Sequence, residues 1–215
     1  MEGRTGAVLK TAAIALVAWL AINRFVPAVP LSFLSSEAAP RPNALKEPVQ
    51  EEPVRDPFAE TRGRLTYRIS PRAAYDVAAR VGATERYWSG ASGSLLPWDF
   101  VLTWGAVTKD PAWSSISFTQ TGRFYLWSTR DASLDPGYVS SHTANTHLLP
   151  GSSRVASALA RVRRGDVVRL EGDLVDIDGP GGFVWRTSLT RTDTGAGACE
   201  TLYVRAITIG THKYR

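Results

Sequence analysis

Short segments of alternating apolar and polar residues dominate the chain from Leu65 onward, and only one segment has a clear helical pattern. Residues 75–81 fit either a strand or a short helix. We predict a mainly β domain over residues 64–215, which at about 150 residues is large enough to bury its own core. The other strand patterns, rich in aromatic and branched residues, fall at 65–69, 100–104, 116–118, 123–127, 167–177, 183–189 and 201–207.

The one clear helix begins at Ser152 or Ser153, either of which can act as N-cap, and ends before Gly165. Gly172 interrupts the strand pattern that follows, which predicts a bulge or a sharp bend. A helix in this position is typical of a small OB-like barrel, in which one helix joins the third and fourth strands. A related closed or half-closed β-barrel fits equally well, and such an architecture does not by itself define a function.

Residues 11–22 (TAAIALVAWLAI) form an uninterrupted run of apolar and small residues. Residues 7–25 approach the length of about 20 that a bilayer core requires, provided that Lys10 and Arg24 snorkel towards the interfaces. We predict that residues 1–34 form an uncleaved signal anchor, a single transmembrane helix in the bacterial cytoplasmic membrane. A cleaved signal peptide and a soluble protein are the alternatives. The anchor would place the C-terminal domain outside the cytoplasm, in the cell envelope.

Residues 35–63 contain five prolines and alternating charges without an apolar period, which predicts an extended linker. The single cysteine, Cys199, excludes an intrachain disulfide framework and a multi-cysteine zinc site. No phosphate-binding loop, dinucleotide fingerprint or GxSxG motif occurs, so we predict no cofactor. The net charge of +5 allows a polyanion-binding face, but a domain outside the cytoplasm is not expected to bind nucleic acid.

Five sequence segments of the domain form a distinctive combination of motifs. As a set they resemble an uncharacterised group of bacterial membrane-anchored proteins, and the resemblance covers about half of the chain. It implies no activity, cofactor or catalytic residue. The segments are WDFVLTWG (98–105), QTGRFYLW (120–127), SHTANTHLLPG (141–151), GDVVRLEGDLV (165–175) and TSLTRTDTGAGACE (187–200).

Two of the three histidines, His142 and His147, lie in one polar segment together with Asn145. Histidine can act as a base, an acid or a metal ligand near neutral pH. The five-residue spacing differs from the helical HExxH pattern, and on a strand it sends the two rings to opposite faces. The histidines can therefore share a site only if this segment is a loop. Two loop histidines that bond backbone carbonyls are the alternative.

Cys199 follows a glycine-rich loop, and Asp193 opens an Asp-Thr-Gly triplet within that loop. A nucleophilic cysteine needs a histidine within hydrogen-bonding reach, which His142 or His147 could supply. If the chain is an enzyme, we predict a small envelope hydrolase or transferase that uses these residues. The alternatives are that Cys199 is a core residue and Asp193 a turn residue. A zinc ion fits the four ligand types, but no metal-binding spacing supports it, and we predict no metal.

Six of the seven tryptophans lie in the predicted domain, several of them near arginines. Aromatic faces beside arginine suit stacking on sugars or bases, whereas large aromatics also fill protein cores. We predict ligand contacts from Trp104, Arg123, Tyr125 and Trp127. We accordingly favour a binding or interaction domain of the cell envelope, with a protein partner or a glycan as its ligand, over an enzyme. A structural component of an envelope assembly is the third hypothesis.

Overall fold

A computed structural model describes residues 35–53, 55–191, 193, 195 and 197–215. The predicted signal anchor at residues 1–34 lies outside this part of the chain. Within the described residues, no helix combines the length and the apolar character that crossing a membrane requires.

The described chain consists mainly of β-strands, which confirms the predicted class. The strands are β1 (Glu37–Ala38), β2 (Val49–Glu51), β3 (Phe58–Arg62), β4 (Leu65–Arg86), β5 (Trp98–Thr103), β6 (Ile116–Thr121), β7 (Phe124–Thr129), β8 (Thr143–Pro150), β9 (Val167–Asp178), β10 (Val184–Trp185), β11 (Glu200–Ile209) and β12 (His212–Tyr214). The helices are α1 (Gly90–Leu95), α2 (Ala112–Ser115), α3 (Pro136–Ser141) and α4 (Ser153–Leu159).

Five strands close into a ring in the order β4, β5, β8, β11 and β9, with β9 pairing again with β4. The β8–β11 pair is parallel, and the other four pairs are antiparallel. The helix predicted from the sequence is α4, and it joins β8 to β9. Its N-cap is Ser152, whose side chain accepts a hydrogen bond from the backbone of Val155. The ring satisfies the sheet edges that an open sheet would expose.

The 22-residue strand β4 is long enough to serve several neighbours. Its register shifts between Pro71 and Ala73 against β9, and between Val81 and Ala83 against β5. Bulges of this kind bend a strand and increase its twist. β4 therefore curves around the ring and also pairs with β2 and β3. The ambiguous segment 75–81 lies within this strand.

Residues 35–63 are not the extended linker that the proline content predicted. β1 pairs with β12, and both β2 and β3 pair with β4, so the folded unit begins before residue 64. These three strands are short and largely exposed. Their side chains therefore lack the alternation of apolar and polar residues that reveals a strand, while the extended backbone that proline favours suits an outer strand.

The bulge predicted at Gly172 lies on the neighbouring strand. The ladder between β9 and β11 skips Arg205 of β11, between the pair Val204–Gly172 and the pair Ala206–Glu171, while β9 itself continues through Gly172 without an extra residue. A Cβ atom on Gly172 would lie 2.0 Å from the carbonyl oxygen of Tyr203. Only glycine allows the two backbones to approach this closely. The predicted strand over 183–189, by contrast, is reduced to the two residues of β10.

Alternate residues of β5 face opposite sides of the sheet. Phe100 and Leu102 are buried on one side, while Asp99 and Val101 are buried on the other. Val101 belongs to an apolar cluster with residues of the β6–β7 hairpin and its flanking helices, namely Val107, Trp113, Ile116, Phe118 and Val139. A second apolar cluster comprises Tyr67, Ile69, Leu95, Leu96, Leu149, Val175, Ile177 and Tyr203. Asp99 and His147 belong to neither cluster, whereas Trp185 packs against the second one.

Candidate functional site

Three polar side chains form a row across β5, β8 and β11. In the register of the sheet, Asp99 lies opposite His147, and His147 lies opposite Thr201. All three are buried. Buried polar groups destabilise a protein unless they find hydrogen-bond partners, since water does not reach them. This row therefore brings a carboxyl group, an imidazole and a hydroxyl group together within the buried sheet.

Asp99 links the row to an arginine in the β6–β7 hairpin. Its Oδ1 accepts a hydrogen bond from Nη1 of Arg123 at 2.8 Å and lies 2.8 Å from Nδ1 of His147. For Asp99 to accept from the imidazole as well, His147 must carry a proton on Nδ1. In the neutral ring, this leaves Nε2 as the atom that can accept a proton or a hydrogen bond.

Arg123 occupies an unusual backbone conformation. The turn residues Gly122 and Arg123 have φ values of 57° and 74°, and left-handed values at both positions are typical of a type I′ hairpin turn. A non-glycine residue in such a conformation costs about 1–3 kcal/mol and persists only where other contacts stabilise it. Here the guanidinium lies 3.5 Å from the ring centroid of Tyr87, and Nη1 also donates to the carbonyl of Leu96 at 2.9 Å.

Tyr87 supports Arg123 a second time through the backbone. Its hydroxyl accepts a hydrogen bond from the backbone N–H of Arg123 at 3.2 Å. Burial raises the pKa of the Tyr87 hydroxyl, so this group stays protonated across the physiological range. Tyr87 lies in the connection between β4 and β5, and from there its ring and its hydroxyl group together hold Arg123 in place.

Trp185 of β10 closes the other side of this group. Its indole packs edge-to-face against the imidazole of His147, with ring centroids 5.0 Å apart. The indole Nε1 donates to the hydroxyl of Thr201 at 3.0 Å, and the Arg123 guanidinium lies 5.8 Å from the indole centroid. We refer to the five converging residues as the Arg123 cluster: Tyr87, Asp99, Arg123, His147 and Trp185.

Two polar atoms of the Arg123 cluster are buried without a hydrogen-bond partner in the described part of the chain. They are Nη2 of Arg123, a donor, and Oδ2 of Asp99, an acceptor whose carboxylate is close enough to the Tyr87 hydroxyl to contribute to the raised pKa of that hydroxyl. They belong to two side chains that already bond each other through their other atoms. Buried polar atoms in proteins are nearly always paired. An open donor and an open acceptor in one place therefore indicate a capacity for further polar contacts.

Exposed apolar side chains adjoin the Arg123 cluster. Trp88 is 73% exposed, Val184 57% and Phe124 48%. Each is the chain neighbour of a cluster residue. The guanidinium of Arg86 lies over the Trp88 ring at 3.6 Å from its centroid, which holds that exposed ring in place. Exposed apolar groups gathered beside a polar cluster are typical of a binding surface.

Cys199 lies beside the cluster. Nδ2 of Asn145 donates to the carbonyl of Arg123 at 2.9 Å and lies 3.6 Å from the sulfur of Cys199. Within the described residues, no hydrogen bond joins this sulfur to His142 or His147. Burial raises the pKa of the Cys199 thiol, so the thiol is protonated at neutral pH and is a weak nucleophile.

The two histidines predicted as a pair lie apart. His142 follows α3, where its ring stacks on Tyr138 with centroids 3.7 Å apart. Its Nε2 lies 3.1 Å from Oε1 of Glu47. The residues that follow form strand β8 rather than the loop that a shared site required. His147 therefore belongs to the Arg123 cluster without His142.

Asp193 has a local partner, since its Oδ2 accepts a hydrogen bond from the hydroxyl of Ser188 at 2.6 Å. The described residues contain no group of three or more histidine, cysteine, aspartate or glutamate side chains arranged to hold a metal ion. The four residues considered as zinc ligands, His142, His147, Asp193 and Cys199, do not converge.

The aromatic prediction selected Trp104, Arg123, Tyr125 and Trp127, and of these Arg123 alone belongs to the cluster. Trp104 is fully buried, and its Nε1 donates to Oε2 of Glu47 at 2.9 Å. Tyr125 and Trp127 are partly buried against the apolar cluster that contains Val101.

Three members of the Arg123 cluster escaped the sequence reasoning. The sequence did single out Asp99, because it is the one charged residue in the strand WDFVLT, in which Thr103 is the one other polar residue. A charged side chain within a buried strand needs an ion-pair or hydrogen-bond partner. Tyr87 and Trp185 carried no signal beyond their aromatic character, because each comes from a connection whose path depends on the tertiary structure.

Two open clefts lie elsewhere on the surface. One, of about 610 Å³, is lined by Phe58, Tyr67, Arg68 and Asp178 among others. The other, of about 370 Å³, includes Asn43, Arg80, Thr108 and Lys109. Neither contains a member of the Arg123 cluster. We place the candidate site at the cluster because an unpaired donor and an unpaired acceptor lie there on two side chains that already bond each other, whereas the described residues that line the first cleft offer only the unpaired hydroxyl of Tyr67.

No family model, no curated protein and no solved structure matches the chain. The resemblance to an uncharacterised group of membrane-anchored proteins therefore stays a prediction. The function has to be inferred from the geometry of the Arg123 cluster.

Proposed function

We propose that the chain is a glycan-binding domain of the OB type, held outside the cytoplasm at the bacterial cytoplasmic membrane by its N-terminal segment. The Arg123 cluster is its binding site. The observation that carries the proposal is the convergence, at one place, of five side chains from five separate segments, with a buried donor and a buried acceptor left unpaired.

The order of the ring strands supports the OB assignment. If β4, β5, β8, β9 and β11 are numbered one to five along the chain, their order around the ring is 1-2-3-5-4. Strands three and five are parallel, and α4 joins strands three and four. OB barrels bind oligosaccharides and oligonucleotides on the face of strands two and three, between the 1–2 and 4–5 connections.

The Arg123 cluster occupies the corresponding position. Asp99 and His147 lie on the second and third strands of the ring. Tyr87 comes from the connection between strands one and two, and Trp185 from the connection between strands four and five. Arg123 comes from the β6–β7 hairpin, which is inserted between strands two and three.

A sugar fits the chemistry of this place. Asp99 already neutralises the charge of Arg123, so the pair favours neutral hydroxyl groups over a second anion. Both atoms are buried, so a sugar hydroxyl can donate to Oδ2 of Asp99, and its neighbour can accept from Nη2 of Arg123, once the side chains that cover the pair move aside. The exposed ring of Trp88 carries Arg86 on one face and leaves its other face for the ring of a sugar.

The enzyme hypothesis keeps one supporting observation. Asp99 orients His147 as an aspartate orients the general base of a catalytic triad, with Nε2 left for proton transfer. In the described residues, however, no hydroxyl or thiol is hydrogen-bonded to Nε2 of His147. A hydrolase would have to activate water there. The third hypothesis, a structural assembly component, predicts no glycan affinity at all.

The test is binding of the full-length protein, purified in detergent, to chitohexaose and to purified peptidoglycan sacculi. Trp88→Ala removes an exposed ring without disturbing the core, and we expect it to weaken binding by about tenfold, as loss of an aromatic contact does. Leu65→Ala, at an exposed residue away from the cluster, is the matched control and should bind as the wild type does. Absence of glycan binding by the wild type, or equal binding by both variants, would refute the proposal.

A further inference from the structure

A second group of polar and aromatic side chains lies inside one end of the ring. The guanidinium of Arg191 is 5.2 Å from the ring centroid of Tyr75 and 5.2 Å from that of Trp104. Nη1 of Arg191 lies 3.5 Å from Oε1 of Glu200. Tyr75 is on β4 and Glu200 is on β11, which are not neighbours in the ring. Glu200 lies in register with Thr146 and Phe100, and Tyr75 lies on the face of β4 that carries Val81, which pairs with Leu102, so both side chains are on the face of the sheet that lines the ring.

Three buried residues surround this guanidinium, and we call them the Glu200 box: Tyr75, Trp104 and Glu200. All three are buried, and Glu200 is only 2% exposed. Hydrogen bonding of Nε1 to Glu47 fixes the Trp104 indole. The side chain of Arg191 is 24% exposed, so the arginine enters the box from solvent.

Arg191 leaves one carboxylate oxygen of the Glu200 box without a hydrogen bond. Oε2 of Glu200 is buried and has no hydrogen-bond partner in the described part of the chain. A dedicated arginine–carboxylate pair normally uses two parallel hydrogen bonds at about 2.7–2.9 Å, one to each oxygen. The 3.5 Å contact to one oxygen alone falls short of that geometry. A cation that reached both oxygens would satisfy the carboxylate better than Arg191 does.

We propose that the Glu200 box is a binding site for the guanidinium or ammonium group of a partner molecule, and that Arg191 occupies it when the partner is absent. Two aromatic faces and a carboxylate are the elements with which proteins recognise such cations. A planar guanidinium can stack on the rings and bond the carboxylate at the same time. The site is separate from the Arg123 cluster and does not depend on the proposed glycan binding.

Charged groups from three elements set the pH at which the box is best tested. Burial raises the pKa of Glu200 to about 8, while Arg191 lowers it and Asp193 raises it further. Glu47, which bonds Trp104, adds a second acidic group near Tyr75. A bound cation favours the ionised carboxylate, so binding is expected to strengthen as the pH rises towards this value.

The first experiment removes the Arg191 side chain from the Glu200 box and supplies free guanidinium in its place. Full-length Arg191→Ala is melted at about pH 8 with increasing guanidinium chloride, kept at about 10 mM or below and so far from the molar range that denatures proteins. Sodium chloride at equal ionic strength is the control. We expect guanidinium, but not sodium, to restore most of the Tm that the substitution removes. The double variant R191A/E200Q should show no recovery.

A second experiment covers the case in which Arg191→Ala does not fold. The wild-type protein is titrated with N-acetyl-arginine amide while the indole N–H signal of Trp104 is followed by NMR. We expect a saturable shift of this signal that is lost in Glu200→Gln, a variant of equal volume. A foldable Arg191→Ala without guanidinium recovery, or a wild type whose Trp104 signal does not move, would overturn the proposal.

Discussion

Asp99 and His147 lie directly opposite each other on neighbouring strands, and their side chains are joined at 2.8 Å within a buried part of the sheet. The same carboxylate oxygen accepts from Arg123. A sheet core does not need such a pair for stability, because replacing a buried ion pair by apolar residues is often neutral or stabilising. The proposed glycan binding would give this pair a role that the stability of the sheet does not require.

Asp99→Asn tests how strongly this group depends on the carboxylate. The amide leaves Arg123 as a buried charge without its counterion. Breaking a buried pair from one side costs about 3–5 kcal/mol, and we expect a loss near the lower end, because the amide oxygen can still accept one hydrogen bond. Urea unfolding of the full-length protein measures the change.

The matched control for Asp99→Asn is Asp178→Asn. Asp178 pairs with Arg186 at 2.5 Å, but both side chains are close to half exposed. Exposed ion pairs contribute about 0–1 kcal/mol. Equal losses for the two variants would contradict the buried, linked arrangement of Asp99, Arg123 and His147.

The mainly β class and the helix α4 follow from the sequence because each depends on local pattern. Ser152 caps the helix as expected, whereas the bulge expected at Gly172 of β9 lies opposite it, at Arg205 of β11. The strands before residue 64 could not be recognised, since their side chains are largely exposed and lack alternation. The Arg123 cluster depends on connections that cross the sheet, so the sequence indicated Arg123 and His147 but neither Tyr87 nor Trp185.

Gly172→Ala tests the close approach of β9 and β11. The added Cβ would lie 2.0 Å from the backbone oxygen of Tyr203, which cannot move as a flexible side chain can. One of the two strands must shift, and overpacking of this kind costs about 1–3 kcal/mol or more. We expect the free energy of unfolding, measured with denaturant, to fall by about 2 kcal/mol or more.

Gly93→Ala provides the comparison for Gly172→Ala. Gly93 lies in α1, and its added Cβ would meet ordinary contacts, the nearest at 3.4 Å from Cβ of Tyr87. Alanine is favoured over glycine in a helix by about 1 kcal/mol. Gly93→Ala should therefore be neutral or stabilising. A Gly172→Ala protein as stable as the wild type would show that the strands are not in this register.

Substitutions at Arg123 separate backbone strain from side-chain contacts. Arg123→Ala and Arg123→Gly both remove the contacts with Asp99 and Tyr87, but only glycine relaxes the φ of 74°. We expect both variants to be less stable than the wild type, with the glycine variant about 1 kcal/mol more stable than the alanine variant. Thermal melts compared at equal pH measure the difference. An alanine variant equal to the glycine variant would contradict the left-handed turn.

The pH dependence of stability depends on Glu200. Burial raises the pKa of this carboxyl from 4.5 to about 8. Between these values the folded protein binds a proton that the unfolded chain has released, so the free energy of unfolding falls as the pH rises. The contribution of the Glu200 proton to the free energy of unfolding is fully present below about pH 4.5. It falls by about 1.4 kcal/mol per pH unit between about pH 4.5 and pH 8, and it is lost above about pH 8.

Glu200→Gln removes this one titration while conserving the volume of the side chain. Other groups titrate in both proteins, so the measured quantity is the difference in the free energy of unfolding, wild type minus variant, at about pH 5.5 and pH 7.5. We expect this difference to fall by about 2–3 kcal/mol between the two pH values, because the penalty for a buried ionised carboxylate grows only in the wild type. A difference that is constant, or that rises with pH, would mean that Arg191 keeps Glu200 ionised in the folded protein. In that case the Glu200 box would be a fully formed ion pair rather than a carboxyl that gives up its proton when a better cation arrives.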